Sequence, residues 1–236
     1  MKRILVLLVS ILLLTGCSVK YDITITDKEQ IKEEITITVD NKTAIEKSNS
    51  LDEYLDYYSN IYADNQGYGE FNVKTKKGKE FSKFIVKNTY GSLTDYTSSF
   101  SFRSMFNKAV IERVGNYVTF TTSENEYLKA LNSAEYLDEE FFYEDFIINI
   151  KFYNKVVNHN ADYVDEKNNI YTWEVTKNNP KDFITFKYSK EKRYDVIFKD
   201  WVMVNLLPII IIGAFLIFAI CFGIYIAIVR KNNDRI

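Results

Sequence analysis

A run of twenty-four residues without a charge, Leu206–Val229, constrains this chain more than any other feature. At about 1.5 Å of rise per residue, a helix of that length crosses a hydrocarbon core of about 30 Å with modest tilt. In water it would have to bury every face at once. Pro208 falls in its first turn, where a missing N–H costs little. Arg230 and Lys231 follow at once and Arg235 closes the tail, a basic flank that assigns the C-terminus to the cytoplasm. Trp201, on the other side, suits the outer interface. A transmembrane helix is expected over 201–229 and a cytoplasmic tail over 230–236.

The front of the chain is apolar too, over Ile4–Leu14, but too short to span as a helix. Lys2 and Arg3 precede it and Leu14-Thr15-Gly16-Cys17 follows. That is the order of a bacterial secretion signal: charged start, apolar middle, small residues at the cleavage site. The last four residues fit a lipobox, in which small residues admit the processing peptidase and the Cys sulfur takes a diacylglycerol. Residues 1–16 are therefore expected to be a lipoprotein signal peptide, with Cys17 the lipidated first residue of the mature chain. Acyl chains hold firmly, since each buried CH₂ contributes about 0.8 kcal/mol. Both anchors must enter one membrane, because a compact body of this size has a radius of gyration of about 16 Å and bridges no second bilayer. The body, residues 17–200, belongs on the extracytoplasmic face of the cytoplasmic membrane.

Composition narrows what that body does. The two Cys, Cys17 and Cys221, both lie in or beside the terminal apolar runs, which excludes a disulfide scaffold and Cys-ligated zinc or iron–sulfur. A single His, His159, excludes a His-rich metal site, and no cofactor or metal is expected. The Lys and Arg of the two ends mask a body more acidic than the whole chain's −2, with both signs interspersed. A nucleic-acid binder carries a basic surplus instead.

The body reads as α+β: antiparallel sheet or sheets with one long and one short helix. Val19, Tyr21, Ile23 and Ile25 alternate with polar residues, as do Ile35, Ile37 and Val39, and Asp27–Gln30 is the turn of an antiparallel hairpin. Ser50 and Glu53 form a capping box for a helix whose apolar stripe runs through Leu51, Tyr54, Leu55, Tyr58, Ile61 and Tyr62, with Gly67 as terminator. Phe71 with Val73 and Phe84–Val86 read as short strands around a basic turn, Lys74–Lys79. Ala109–Arg113 and Tyr117–Thr121 flank Val114-Gly115-Asn116 as a second hairpin. A second capping box, Ser123 with Glu126, starts the short helix through Leu131. Phe146–Tyr153, Ile170–Thr176 and Phe183–Tyr188 complete the strands, with a polar turn at Asp165–Asn169.

Several clusters bear on function. The tyrosine stripe packs on a sheet or walls an apolar groove; Tyr54, Tyr58 and Tyr62 are the candidate groove residues. Lys74, Lys76, Lys77 and Lys79 offer charge to a lipid headgroup or stand in solvent as an ordinary hairpin turn. Asp138, Glu139, Glu140, Glu144 and Asp145 surround an aromatic triplet, as carboxylates for acid–base work or calcium would, yet without the glycine of a calcium loop. His159 near Asp162 resembles an acid–base pair only superficially. No nucleophile motif, phosphate loop or dinucleotide fingerprint occurs, and no catalytic residue is assigned. Ala219, Gly223 and Ala227 form a small-residue stripe that permits close approach of a second helix.

The layout resembles that of the LppM-like bacterial lipoproteins. The residues that carry the likeness are Leu14–Cys17, the Val19–Val39 hairpin, and Val157-Asn158-His159-Asn160-Ala161-Asp162 leading to Tyr171-Thr172-Trp173. The resemblance implies a lipobox, one α+β domain and a C-terminal transmembrane helix, with no active site to carry over. The expected function is a non-enzymatic, membrane-anchored extracytoplasmic lipoprotein that binds or organises an envelope lipid, lipoglycan, wall polymer or protein. The alternative is an accessory or sensor subunit paired with a membrane protein through its helix.

Overall fold

The computed structural model describes residues 17–64, 71–106, 108–123, 143–176, 181 and 183–233. The chain divides after Arg193 into a mixed α+β unit and a helical one. Strand β1 (Cys17–Ile25) and β2 (Ile31–Asp40) form the expected hairpin, Val19 opposite Ile37 and Ile25 opposite Ile31. The turn closes on Thr26, whose Oγ1 accepts from Gln30 N and whose carbonyl accepts from Glu29 N, with Glu29 in the left-handed region. Helix α1 (Asn41–Ser48) follows without a break, capped by the Asp40 carboxylate accepting from Thr43 N at 3.0 Å. Helix α2 (Leu51–Asp64) is the long helix of the capping box, with Ser50 Oγ accepting from Glu53 N at 3.1 Å.

Strands β3 (Asn72–Lys76) and β4 (Phe81–Tyr90) are longer than the sequence suggested. Lys74 and Lys76, expected in a turn, are strand residues; the turn itself is confined to Lys77–Glu80. Two short helices, α3 (Leu93–Thr97) and α4 (Phe100–Met105), come next, each capped by a serine hydroxyl: Ser92 accepting from Asp95 N and Ser99 from Phe102 N. Neither these helices nor α1 was legible in the apolar spacing. Strands β5 (Ala109–Val114) and β6 (Tyr117–Thr122) are the second hairpin, turned on Gly115 at φ +57°, where a side chain would be strained. The short helix expected over Ser123–Leu131 lies outside the described residues, except that Ser123 Oγ accepts from Lys108 N.

Strands β7 (Tyr143–Phe152), β8 (Asn154–His159), β9 (Tyr163–Asp165), β10 (Ile170–Thr176) and β11 (Thr185–Lys192) complete two sheets. One has seven strands in the order β3-β4-β2-β1-β7-β10-β9, the other four in the order β5-β6-β11-β8. All pairings are antiparallel except β1 with β7. The chain changes sheets at Tyr153, between β7 and β8. Asn169, buried and left-handed, secures that corner by donating its amide to the carbonyls of both Phe152 and Asn154 at 2.8 Å.

The inner face of the large sheet carries Val19, Tyr21, Ile23 and Ile25 from β1, Ile31, Ile35, Ile37 and Val39 from β2, and Ile148, Ile150 and Trp173 from β7 and β10. Leu55 and Tyr62 of α2 cover part of it. The four-stranded sheet contributes Val118, Phe120, Phe186 and Tyr188 to the same core. Phe120 stacks on Phe186 at 4.8 Å, and Phe186 meets Phe152 of the large sheet edge-on at 5.0 Å. Each such side chain contributes about 1.5–3 kcal/mol by leaving water.

In the helical unit, α5 (Tyr194–Val204) begins ahead of the expected boundary at residue 200. Helix α6 (Leu206–Asn233) follows with one turn residue between, and the backbone bonds Asn205 N→Trp201 O and Ile209 N→Asn205 O run across that joint. Leu206–Tyr225, with a mean hydropathy of 2.8, is long and apolar enough to cross a membrane.

Candidate functional site

Cys17 is the first residue of β1, so the attachment point opens directly onto a strand in the middle of the large sheet. Because β2 runs antiparallel to β1, and β4 to β2, the β3–β4 turn lies at the same end of the sheet as Cys17. Three details fix that turn. Asn41 donates its side-chain amide to the carbonyls of Gly78 and Lys79 at 3.0 and 3.1 Å. Lys77 pairs with Asp52 of α2. Gly78 is required, since a Cβ there would sit 2.2 Å from the Phe81 carbonyl oxygen. Lys74, Lys76 and Lys79 are exposed. The structure thus brings the four candidate lysines together but spends one of them, Lys77, on fixing the turn.

The tyrosine stripe divides. Tyr62 is 6 % exposed, with Phe71, Phe84 and Phe100 at 5.5–5.8 Å around its ring, and burial pushes its hydroxyl far up from the ordinary tyrosine range. It is a core residue, so at the C-terminal end of the stripe the packing alternative holds and not the groove. Tyr54 and Tyr58 are half-buried against the same core, their hydroxyls 3.4 Å apart. The helix turned a broad aromatic stripe onto an aromatic sheet face, and packing took it. A cavity of about 20 Å³ opens between the sheets, walled by Ile25, Ile31, Phe102, Phe120, Ile148 and Phe186 among others. It has room for about one water and apolar walls, so it is a packing void and not a chamber for an acyl chain.

One functional group went unnoticed in the sequence. Glu33, 3 % exposed, points inward from β2 between Ile31 and Ile35. Its Oε2 accepts from the Tyr90 hydroxyl at 3.0 Å and the Ser101 hydroxyl at 2.8 Å, and its Oε1 is buried. Burial pushes the carboxyl from 4.5 up to about 7, against the opposing pull of the Ser101, Tyr90 and Tyr96 hydroxyls. Desolvation, with the Glu33 charge second, in turn raises Tyr90 to about 12 and Tyr96 well above its ordinary value. The signal was available: strict alternation places Glu33 on the face of Ile31, Ile35, Ile37 and Val39.

The remaining candidates serve structure or lie elsewhere. His159 Nδ1 accepts from Ala161 N at 3.2 Å and its ring lies against Tyr171. Asp162 accepts from Glu174 N and pairs with Lys181 at 2.7 Å. Asp138, Glu139 and Glu140 lie outside the described residues, and Glu144 and Asp145 are placed only by their backbone in β7. Among the described residues no His, Cys, Asp and Glu group of three could hold a metal. Ala219 and Gly223 lie on α6, and a Cβ on Gly223 would meet nothing within 4 Å; the side chain of Ala227 is not described.

A family model of the prokaryotic membrane lipoprotein lipid attachment site matches residues 1–18. No curated protein matches the chain. Among solved structures, the NMR structure of the folded domain of LppM from Mycobacterium tuberculosis is similar over 77 % of this chain and 95 % of its own length, at 11 % identity and a TM-score of 0.42. By its attachment site the chain is a membrane-anchored lipoprotein.

Proposed function

We propose that this lipoprotein is a non-enzymatic surface domain on the outer face of the cytoplasmic membrane, held by acylated Cys17 and by the Leu206–Tyr225 span, with its C-terminus in the cytoplasm. It binds or organises an envelope component: lipid, lipoglycan, wall polymer or protein. The supporting observation is the outer face of the seven-stranded sheet. Lys20, Asp22, Thr36, Asn149, Thr172 and Glu174 lie there in register, on the side away from the core. Asn149 donates to Asp22 at 2.9 Å and accepts from Thr172 at 2.7 Å, an ordered polar surface of hydroxyls, amides and charges. The cavity described between the sheets is too small for an acyl chain, which favours this surface as the place where a ligand is taken.

The test is to purify the acylated full chain from its own membranes in mild detergent and identify co-purifying lipid, glycan and protein. A retained component, lost on Asn149→Ala with the circular dichroism spectrum unchanged, supports the reading. Retention of nothing at all refutes it. The accessory-subunit reading has one observation in its favour, the open space around Gly223. It requires a stoichiometric membrane protein that Gly223→Leu releases.

A further inference from the structure

The strand register gives the large sheet a row of side chains on its outer face: Lys76 opposite Lys83, Lys83 opposite Thr38, Thr38 opposite Ser18. Ser18 is the neighbour of Cys17, so the row sits at the anchored end of the sheet. Lys74 and Lys20 fall in the next row, linked through Ile85 and Thr36. Lys74, Lys76 and Lys83 are exposed, and no ion pair engages them among the described residues. Beyond Ser18 the row passes to Asp145 in β7, at the other side from the lysines.

Lys76 directly opposite Lys83 is an arrangement a fold normally avoids, since like charges across a strand pair repel. The turn that holds it is fixed by Asn41, by the Lys77–Asp52 pair and by the close approach at Gly78. The repulsion is relieved when an anion lies between the two ammonium groups. No linker separates β1 from Cys17, so a diacylglycerol on that sulfur leaves the strand end at headgroup level. Strand neighbours are about 4.8 Å apart. Three spacings put Lys76 about 15 Å from Ser18 along the row, within the area a lipidated domain covers.

We infer that Lys76, Lys83 and Lys74 form a docking edge for the anionic phosphate headgroups of the bilayer that carries the Cys17 anchor. The acyl chains and the basic edge act as two signals on one membrane, a combination that holds where a single weak signal does not. This deepens the proposed function and rests on its assignment of Cys17 as acylated. It names the membrane surface itself, and not the captured envelope component, as what the edge binds.

The experiment uses the acylated full chain in nanodiscs of phosphatidylcholine alone or with about one third phosphatidylglycerol, a composition chosen to give a clear negative surface potential. Each lysine is labelled with a water-soluble amine reagent and its rate read by mass spectrometry. Lys74, Lys76 and Lys83 should label about fivefold more slowly in the anionic discs. In 1 M salt, where the screening length is about 3 Å, the difference should vanish. Lys167, in the turn at the opposite end of the sheet, should show none. With residues 1–17 replaced by an ordinary signal peptide cleaved ahead of Ser18, the chain is held by its span alone, and the lysines of the edge should label equally in both discs. Equal rates for the acylated protein, or equal slowing at Lys167, overturn the docking edge. Persistence of the slowing in that unacylated chain overturns the role given to the anchor. Any of these results leaves the co-purification test of the proposed function standing by itself.

Discussion

Replacing Glu33 by Gln tests the buried carboxyl directly. Lifting its proton equilibrium from 4.5 to about 7 makes the ionised form costlier in the fold, by about 3 kcal/mol at 1.36 kcal/mol per tenfold. The sign follows from proton counting. Between about pH 4.5 and 7 the folded chain holds a proton on Glu33 that the unfolded chain has released, so stability falls as pH rises through that window and levels off above it. The amide keeps an oxygen for Tyr90 and Ser101 and removes the charge. Its new N–H needs an acceptor, a cost of about 1–3 kcal/mol that does not depend on pH. The diagnostic is therefore the slope and not the absolute value. Urea unfolding of the full chain in micelles, read by the emission of buried Trp173 in a Trp201→Phe background, should show the parent losing about 3 kcal/mol relative to Glu33→Gln between pH 5 and pH 8. Parallel curves for parent and variant would refute the reasoning, because the loss would then come from other groups.

Three further outcomes are expected. Tyr62→Ala should destabilise by about 3–5 kcal/mol in the same unfolding assay, while Tyr57→Ala, at a position 62 % exposed, should stay within about 0.5 kcal/mol of the parent; a small effect at Tyr62 would return that residue to the surface. Gly78→Ala forces a methyl onto the Phe81 carbonyl and should lower stability by about 1–3 kcal/mol, with hydrogen exchange at the β3–β4 turn accelerating first. Cys17→Ser should block lipidation and processing and yet leave the protein in the membrane pellet on fractionation; full-length mature protein in the medium would remove the stop-transfer role of α6.

The elements that sequence made legible are those whose information is local. The β1–β2 hairpin shows itself in alternation, α2 in its capping box, and α6 in uninterrupted apolarity. The parallel pairing of β1 with β7 has no local trace, since it joins Cys17–Ile25 to Tyr143–Phe152 across most of the body. Helices α1, α3 and α4 are too short for periodicity to stand out. Their caps, Asp40, Ser92 and Ser99, look like ordinary polar loop residues until the backbone they cap is seen. Among the candidate residues, sequence could find the basic stretch but not its partner Lys83, which only strand register sets opposite Lys76. Tyr54, Tyr58 and Tyr62 share one helical stripe, and the sheet beneath decides which of them it buries.

The absence of any linker between Cys17 and β1 has a mechanical consequence. A force that lifts the domain off the bilayer enters the fold at the end of a central strand, held by a ladder to β2 on one side and to β7 on the other. Tension along β1 loads both ladders in shear, many bonds together, where an edge strand would peel one bond at a time. A long tether would stretch first and let the domain wander; here nothing yields before either the sheet or the acyl chains' hold on the leaflet. The attachment residue is thus the end of a strand paired on both sides, and a load on an acyl chain at Cys17 passes straight into both ladders.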